Sequence, residues 1–169
     1  KNDSNFPDYY YLTPSTSANW NVKFEYPADG IPTVTLKDAK IINRFGLWFG
    51  GVNIPMTSDI KIVLEGTNTI ENIGTTYSAF KANTSGDVTI SGNGSLTLSS
   101  NIASKDFGVL STLSNLTLDN TNVTVICPET YGKANAVTTT AGNITVKGGT
   151  LNVIGIDDPS TTHAEGKTS

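Results

Sequence analysis

Residues 87–100, D-V-T-I-S-G-N-G-S-L-T-L-S-S, decide the reading of this chain, because their pattern returns before and after them at a nearly fixed interval. Val88 and Ile90 alternate with polar residues, a Gly-rich corner follows, and Leu96 and Leu98 alternate again. That is the period-2 signature of two short strands about a bend. Related copies are V-T-L-K-D-A-K-I-I at 34–42, I-V-L-E-G-T-N-T-I at 62–70, L-T-L-D-N-T-N-V-T-V at 116–125 and I-T-V-K-G-G-T-L-N-V at 144–153. Their first core residues fall at 34, 62, 88, 116 and 144, giving intervals of 28, 26, 28 and 28. Self-similarity at such a period marks a stacked repeat, in which no unit can bury its apolar face without its neighbours.

Each interval is longer than two strands need, and the remainder holds a third apolar patch, at 46–49, 79–82, 108–111 and 136–139. Phe80, Val109 and Val137 each precede the next first core position by seven or eight residues. The expected fold is therefore all-β: a single-stranded parallel β-helix, or solenoid, of about five coils with three short strands and three corners per coil. Windings about 4.8 Å apart give a rod core roughly 24 Å long. No segment sustains the i, i+3, i+4 apolar spacing of a helix. Gly66, Gly92, Asn120 and Gly148, with Asp38 in the first copy, align at a corner where a residue tolerant of positive φ is required. Asp87, Asn115 and Asn143 align just before the first strand, and such a file can hydrogen-bond from coil to coil.

Residues 1–31 do not fit the repeat. They carry Tyr9, Tyr10, Tyr11, Trp20, Phe24 and Tyr26, interrupted by Pro7, Pro14 and Pro27. They read as an N-terminal aromatic cap with a lead-in strand through Val22, Phe24 and Tyr26, since the end of a β stack exposes backbone and core that need cover. Residues 32–169 hold the repeats in a single domain. Counting 28 on from Ile144 gives 172, past Ser169, so the repeat region is expected to be truncated inside a coil.

Composition agrees with an extended β surface. Apolar residues are 37% and charged residues 15%, while the chain has 25 Thr and 17 Asn, types suited to pleated faces, turns and amide ladders. A net charge of −4 and a pI near 4.8 offer no basic stripe for nucleic acid. No apolar run is long enough to enter a bilayer as a helix, and the opening K-N-D-S-N is not a signal peptide. Cys127 is the single cysteine, so no disulfide can form within the chain; it reads as a small buried apolar residue.

In these segments the chain resembles the right-handed β-helix repeat domains of bacterial extracellular carbohydrate-binding and adhesin-like proteins. The resemblance runs from about residue 33 to 155 and rests on D-I-K-I-V-L-E-G-T-N-T-I at 59–70, D-V-T-I-S-G-N-G-S-L-T-L at 87–98 and N-I-T-V-K-G-G-T-L-N-V at 143–153. It implies a right-handed winding, a location outside the cell or on its surface, and a binding role. The architecture is similar to that of the pectate lyase superfamily, but a shared fold does not deliver a shared activity.

Catalytic sets are missing from the sequence. A polysaccharide lyase needs clustered carboxylates for Ca²⁺ and a basic residue near the substrate's α-proton. The pieces at hand are Arg44, the only arginine, with Asp38, Asp59, Glu65 and Asp87. The Glu65 column continues as Ser91, Asp119 and Lys147, so no acidic stack forms. His163, the sole histidine, has no G-x-S-x-G elbow to serve. G-N-G-S-L-T at 92–97 lacks the third glycine of a dinucleotide fingerprint and leads into a strand. Asp157, Asp158 and Glu165 read as a solvated turn, and the repeated G-G-x-G-x-D calcium motif does not occur. No cofactor, metal or catalytic residue is expected.

Twelve of the fourteen aromatic residues lie within residues 1–80. Sugar rings stack on exposed aromatic faces while nearby Asn, Asp and Thr bond hydroxyls. Trp20, Trp48, Tyr9, Tyr10 and Tyr77 are thus the candidate ligand-binding residues for a polysaccharide or a cell-surface glycan; the alternative is that they close the end of the stack. A non-catalytic binding or adhesion module is expected, with a structural spacer that associates end to end as the second reading and a polysaccharide lyase or hydrolase as the third.

Overall fold

The structure, a computed structural model, describes residues 20–43, 47–49, 57–74, 77–100, 108–128 and 135–156. The described residues are all-β, with no helix. In chain order the strands are β1 (Val22–Glu25), β2 (Thr33–Lys37), β3 (Lys40–Asn43), β4 (Leu47–Phe49), β5 (Ile60–Glu65), β6 (Thr67–Asn72) and β7 (Phe80–Ala82). They continue as β8 (Val88–Ser91), β9 (Ser95–Ser100), β10 (Gly108–Thr112), β11 (Leu116–Pro128), β12 (Asn135–Thr139) and β13 (Ile144–Ile156).

From β2 onward every pairing is parallel and joins a strand to its equivalent one repeat away. The strands therefore stack as a β-solenoid. One ladder runs β2, β5, β8 and the first halves of β11 and β13; a second runs β3, β6, β9 and the second halves of β11 and β13. A third ladder holds β4, β7, β10 and β12, so the chain winds about three turns in passing from the first of these to the last. β11 and β13 carry the first and second ladders as single 13-residue strands, bending at Asn120 and Gly148 without breaking.

The core follows from alternation. In β5, Ile60, Ile62 and Leu64 are buried while Lys61 and Glu65 are exposed. In β9, Leu96 and Leu98 are buried between Ser95, Thr97 and Ser99. Vertical files result: Val34, Ile62, Ile90, Leu118 and Val146 in one; Ile41, Ile70, Leu98, Val125 and Val153 in another. Phe80, the largest fully buried side chain, lies between Leu47 and Leu110 in the third ladder's register.

The first file corrects the repeat frame. The sequence places Val88 over Ile62, whereas the register places Ile90 there and Val88 over Ile60, so the interval is 28 at every step. The discrepancy arises at the corner after β8, which has three residues, Gly92 to Gly94, where the winding below has only Gly66 between β5 and β6. Matching Gly66 to Gly92 by eye shortens that interval, but Thr67 stacks on Ser95 and therefore Gly66 on Gly94. In the third ladder, Leu110 and not Val109 is the partner of Phe80 and Val137. All five residues of β10 are buried, so the strand shows no alternation from which its phase could be read.

The corner conformations agree with expectation. Asp38, Gly66, Gly92, Asn120 and Gly148 have φ of 47°, 65°, 112°, 50° and 81°, a region L-residues avoid but Gly, Asn and Asp accept. At Gly92 the requirement is also steric, because a Cβ would run into the backbone of Leu64 in the winding below. The strand expected from Val22, Phe24 and Tyr26 is β1, though Tyr26 lies beyond its end and the pairing to β2 is antiparallel. Its residues are all exposed, with Phe24 and Tyr26 in edge contact, ring centroids 5.1 Å apart.

A buried amide pins the first corner. Asn68 occupies an inward position that Leu96 and Val123 fill in the next two windings. Its Oδ1 accepts from Ala39 N–H at 2.9 Å, and its Nδ2 donates to the carbonyls of Glu65 and Ser95 at 3.1 and 3.2 Å. One side chain thus ties three successive windings. Removing it strands a buried donor, so Asn68→Ala is expected to lower unfolding free energy by about 2 kcal/mol or more, read from urea midpoints. In the Val34 file, Ile90→Ala is expected to cost about 2–5 kcal/mol. Val146→Ala, at a position 45% exposed, is expected to cost under about 1 kcal/mol; similar losses at both would contradict the register.

Candidate binding surfaces

The carboxylates that a lyase reading would need are dispersed. Asp38 sits at the first corner, where its Oδ1 accepts from Thr67 N–H at 2.9 Å. Glu65 ends β5 opposite Lys37 in the register. Asp59 and Asp87 lie at the corner that precedes the first ladder. Asp59 Oδ1 accepts from Asp87 N–H at 2.8 Å, and Asp87 Oδ1 accepts from Ser114 Oγ and Asn115 Nδ2, each at 2.9 Å. Asn115 Oδ1 in turn accepts from Asn143 N–H at 2.9 Å. The expected file of Asp87, Asn115 and Asn143 is present and begins one winding earlier, at Asp59. One oxygen each of Asp59, Asp87 and Asn115 accepts from the next winding, so the row acts as a structural seam. Among the described residues no three His, Cys, Asp or Glu groups converge as a metal site would require. Arg44, Asp157, Asp158, His163 and Glu165 lie outside the described residues. Cys127 is buried, as expected.

Of the five aromatic candidates, Tyr9 and Tyr10 lie outside the described residues, and Trp48 is placed by its backbone in β4, opposite Lys81 of β7. Trp20 is half-buried just before β1. Because β1 runs antiparallel to β2, with Val22 opposite Leu36, Trp20 falls beside the Asp38 corner. There Asn21 Nδ2 donates to the carbonyls of Lys37 and Asp38, at 2.8 and 3.3 Å. The ammonium groups of Lys23 and Lys37 stand 5.7 and 5.5 Å from the Trp20 ring centroid. Exposed cation–π contacts of this kind contribute about 0.5–1 kcal/mol. Lys23 also meets Glu25 at 2.7 Å in an exposed ion pair.

Tyr77 lies at the other end of the second ladder, in the connection from β6 to β7. Its carbonyl accepts hydrogen bonds from Asn72 Nδ2 and from Ser100 Oγ, so two windings fix its backbone while the residue stays 37% exposed. Trp20 and Tyr77 are not brought into one pocket. The Trp20 ring lies against Lys23 of β1 and Lys37 of β2, on the side of the first ladder, whereas Tyr77 lies beyond the far end of β6.

The outer face of the second ladder is the surface the residue types did not single out. Its outward positions form ranks across the windings: Thr67, Ser95, Asn122 and Thr150 in one, and Lys40, Thr69, Thr97, Thr124 and Asn152 in the next. Thr and Asn excess announces such a face in general, but placing these residues side by side requires the register. The outer face of the first ladder is different, carrying Lys37, Lys61, Glu65, Asp119 and Lys147 among its hydroxyls.

Comparisons with known proteins return no matching family model, no matching curated protein and no matching solved structure.

A seam and a ligand row respond differently to substitution. Asn115→Ala removes the bonds to Asp87 and Asn143 and is expected to lower stability by about 1–2 kcal/mol, measured by chemical denaturation. Addition of millimolar Ca²⁺ is expected to leave the melting temperature of the wild-type chain unchanged.

Proposed function

We propose that the chain is a non-catalytic binding or adhesion module displayed outside the cell or on its surface, with a polysaccharide or cell-surface glycan as ligand. The observation that carries this reading is a pair of partly exposed aromatic residues, Trp20 beside the first corner and Tyr77 beyond the end of β6, on a stack that also presents a hydroxyl-rich β face. Indole and phenol rings offer sugars an apolar plane, and the neighbouring Asn, Thr and Ser groups match their hydroxyls. In this reading the solenoid is right-handed, winds about five times and is capped by residues 1–31. The antiparallel pairing of β1 along β2, and the five strands sharing the first ladder's register, support the cap and the count. Trp48, Tyr9 and Tyr10 are proposed as further contacts on residue type alone.

A second reading, a spacer or assembly segment that associates end to end, is favoured by a different observation. In β13 the residues that continue the core files stay open, Ile144 at 42%, Val146 at 45% and Val153 at 51% exposed.

Glycan arrays and affinity gels separate the two. Wild-type protein is expected to be retained on at least one polysaccharide, with Trp20→Ala and Tyr77→Ala each weakening retention by roughly two- to tenfold, the range of an aromatic stacking contact. Retention on none, together with a mass that rises with concentration in sedimentation, would replace the binding reading with the assembly one. Incubation with polysaccharides is expected to release no unsaturated or reducing products.

A further inference from the structure

The ladder register supports a statement about which glycans fit and where. We infer that the outer face of the second ladder is the principal contact surface, and that it takes a neutral polysaccharide in extended, ordered array, an insoluble fibre, in preference to a single soluble chain. This inference rests on the glycan reading above and adds the surface and the physical form of the ligand.

Three features of the face lead there. The first is charge. On β6, β9 and the second half of β11, the outward positions Thr67, Thr69, Ser95, Thr97, Asn122 and Thr124 are all uncharged; Glu71 and, in β3, the exposed Lys40 opposite Thr69 are the charged exceptions, one of each sign. The first ladder's outer face mixes both signs. A surface with an uncharged centre and one charge of each sign at its edge fits a polymer without charge and gives no advantage to a uronate or sulfated chain.

The second is periodicity. Parallel in-register strands set neighbouring hydroxyls of a rank about 4.8 Å apart, and alternate residues along a strand set the ranks about 6.6 Å apart. The grid is fixed by backbone hydrogen bonds, so little side-chain order is lost on binding. Thr is β-branched and has few rotamers to lose. Thr150 Oγ1 already donates to Asn122 Oδ1 at 2.9 Å, so neighbouring members of a rank can be coupled. Each single hydroxyl contact gains little net free energy in water. A repeating ligand that meets many grid points at once multiplies small gains, while a short free oligosaccharide meets few.

The third is the margin. Along the side of the face nearest the second corner the ranks end in Ile42, Glu71, Ser99, Ile126 and Ile154. Ile42 and Ile154 are exposed. Extended neutral sugar ribbons alternate hydroxyl edges with apolar C–H faces, and a hydroxyl grid bordered by isoleucines presents both.

The test uses the whole chain on microcrystalline cellulose and on chitin powder, compared with their soluble oligosaccharides and with soluble polygalacturonate. Wild-type protein is expected to partition onto one of the powders and to show at least about tenfold weaker binding to the matching oligosaccharide. Thr97→Val with Thr124→Val removes two hydroxyls at constant shape and is expected to reduce partitioning several-fold. Thr97→Glu with Thr124→Glu is expected to abolish it, while Thr89→Glu with Thr117→Glu, on the other outer face, leaves it unchanged; unchanged circular dichroism and melting temperature establish folding. Loss of powder binding from the Thr89 and Thr117 pair, or none from the Thr97 and Thr124 pairs, would overturn the assignment of the face. Tight binding to soluble chains or to polygalacturonate with none to either powder would overturn the ligand form and leave the glycan reading standing. Absence of binding to every carbohydrate probe would remove both.

Discussion

Parallel backbone pairing between one winding and the next is the constraint on which this molecule depends. Each strand from β2 onward hydrogen-bonds to its own equivalent about 28 residues along the chain, and that fixes which side chains sit above which. Like then stacks on like. Ile62, Ile90 and Leu118 form a dry column, because a polar residue in that file would be enclosed by apolar neighbours without a hydrogen-bond partner. Corners must turn within the same vertical spacing, so Asp38, Gly66, Asn120 and Gly148 share a positive φ. At such closeness the windings leave little room for a side chain at some corners, which is why Gly92 fits against Leu64 and a residue with a Cβ would not.

The interior is narrow, and polar groups at its corners are used as ties between levels. Asn68 bonds to Ala39, Glu65 and Ser95. Buried Thr84 donates its hydroxyl to the carbonyl of Ser58 at 2.7 Å and accepts from Gly86 N–H at 3.1 Å. Thr121 donates to the carbonyl of Gly94 at 3.2 Å. The Asp59, Asp87, Asn115, Asn143 seam does the same on the surface. A buried donor and acceptor that both find partners stabilise modestly, but losing one partner is expensive. These ties therefore penalise slippage of one winding against the next more than they add to the total stability. A solenoid needs such devices, since its apolar columns are nearly uniform and a shift along them meets little resistance from packing.

The period, the three-strand winding, the corner residues and the Asp/Asn file were legible because each repeats, and repetition in a sequence is a direct image of stacking. What repetition does not encode was lost. The three-residue corner at Gly92 to Gly94 looks like any other glycine corner, and only the pairings of Val63 with Ser91 and Thr67 with Ser95 show that it takes over the positions that Leu64 and Glu65 hold as strand in β5. β10 is buried on both sides, so G-V-L-S-T carries no alternation to phase it, and Leu110 was missed. Asn68 breaks its file's apolar pattern and looks like a surface residue in sequence; its function as a tie depends on the Ala39 N–H and the Ser95 carbonyl, from the windings on either side. For the candidate surfaces, aromatic side chains could be named in advance, whereas the lysines beside Trp20 come from strands that meet only through antiparallel pairing. The hydroxyl grid is likewise a property of register, since Thr69, Thr97 and Thr124 are far apart in the chain and adjacent in the ladder.

The first and last strands of the described stack are unlike, and the difference follows from the same constraint. β1 lies along β2 antiparallel, so it satisfies that strand's backbone edge without continuing the winding. It also brings Lys23 and Glu25 to the outermost edge, where charged side chains discourage another strand from adding. β13 instead keeps the parallel sense and the register of the windings before it over twelve consecutive pairs. Its outer face has Lys147 as its one charged residue, and Ile144, Val146 and Val153 stand open in line with the buried columns. One end therefore departs from the repeat in direction and charge, and the other preserves both the pairing geometry and the apolar columns. Direction alone accounts for this. A stack of parallel windings has a polarity, so the side chains and backbone groups that suit its first edge are not those that suit its last, and each end has to be resolved by different chemistry.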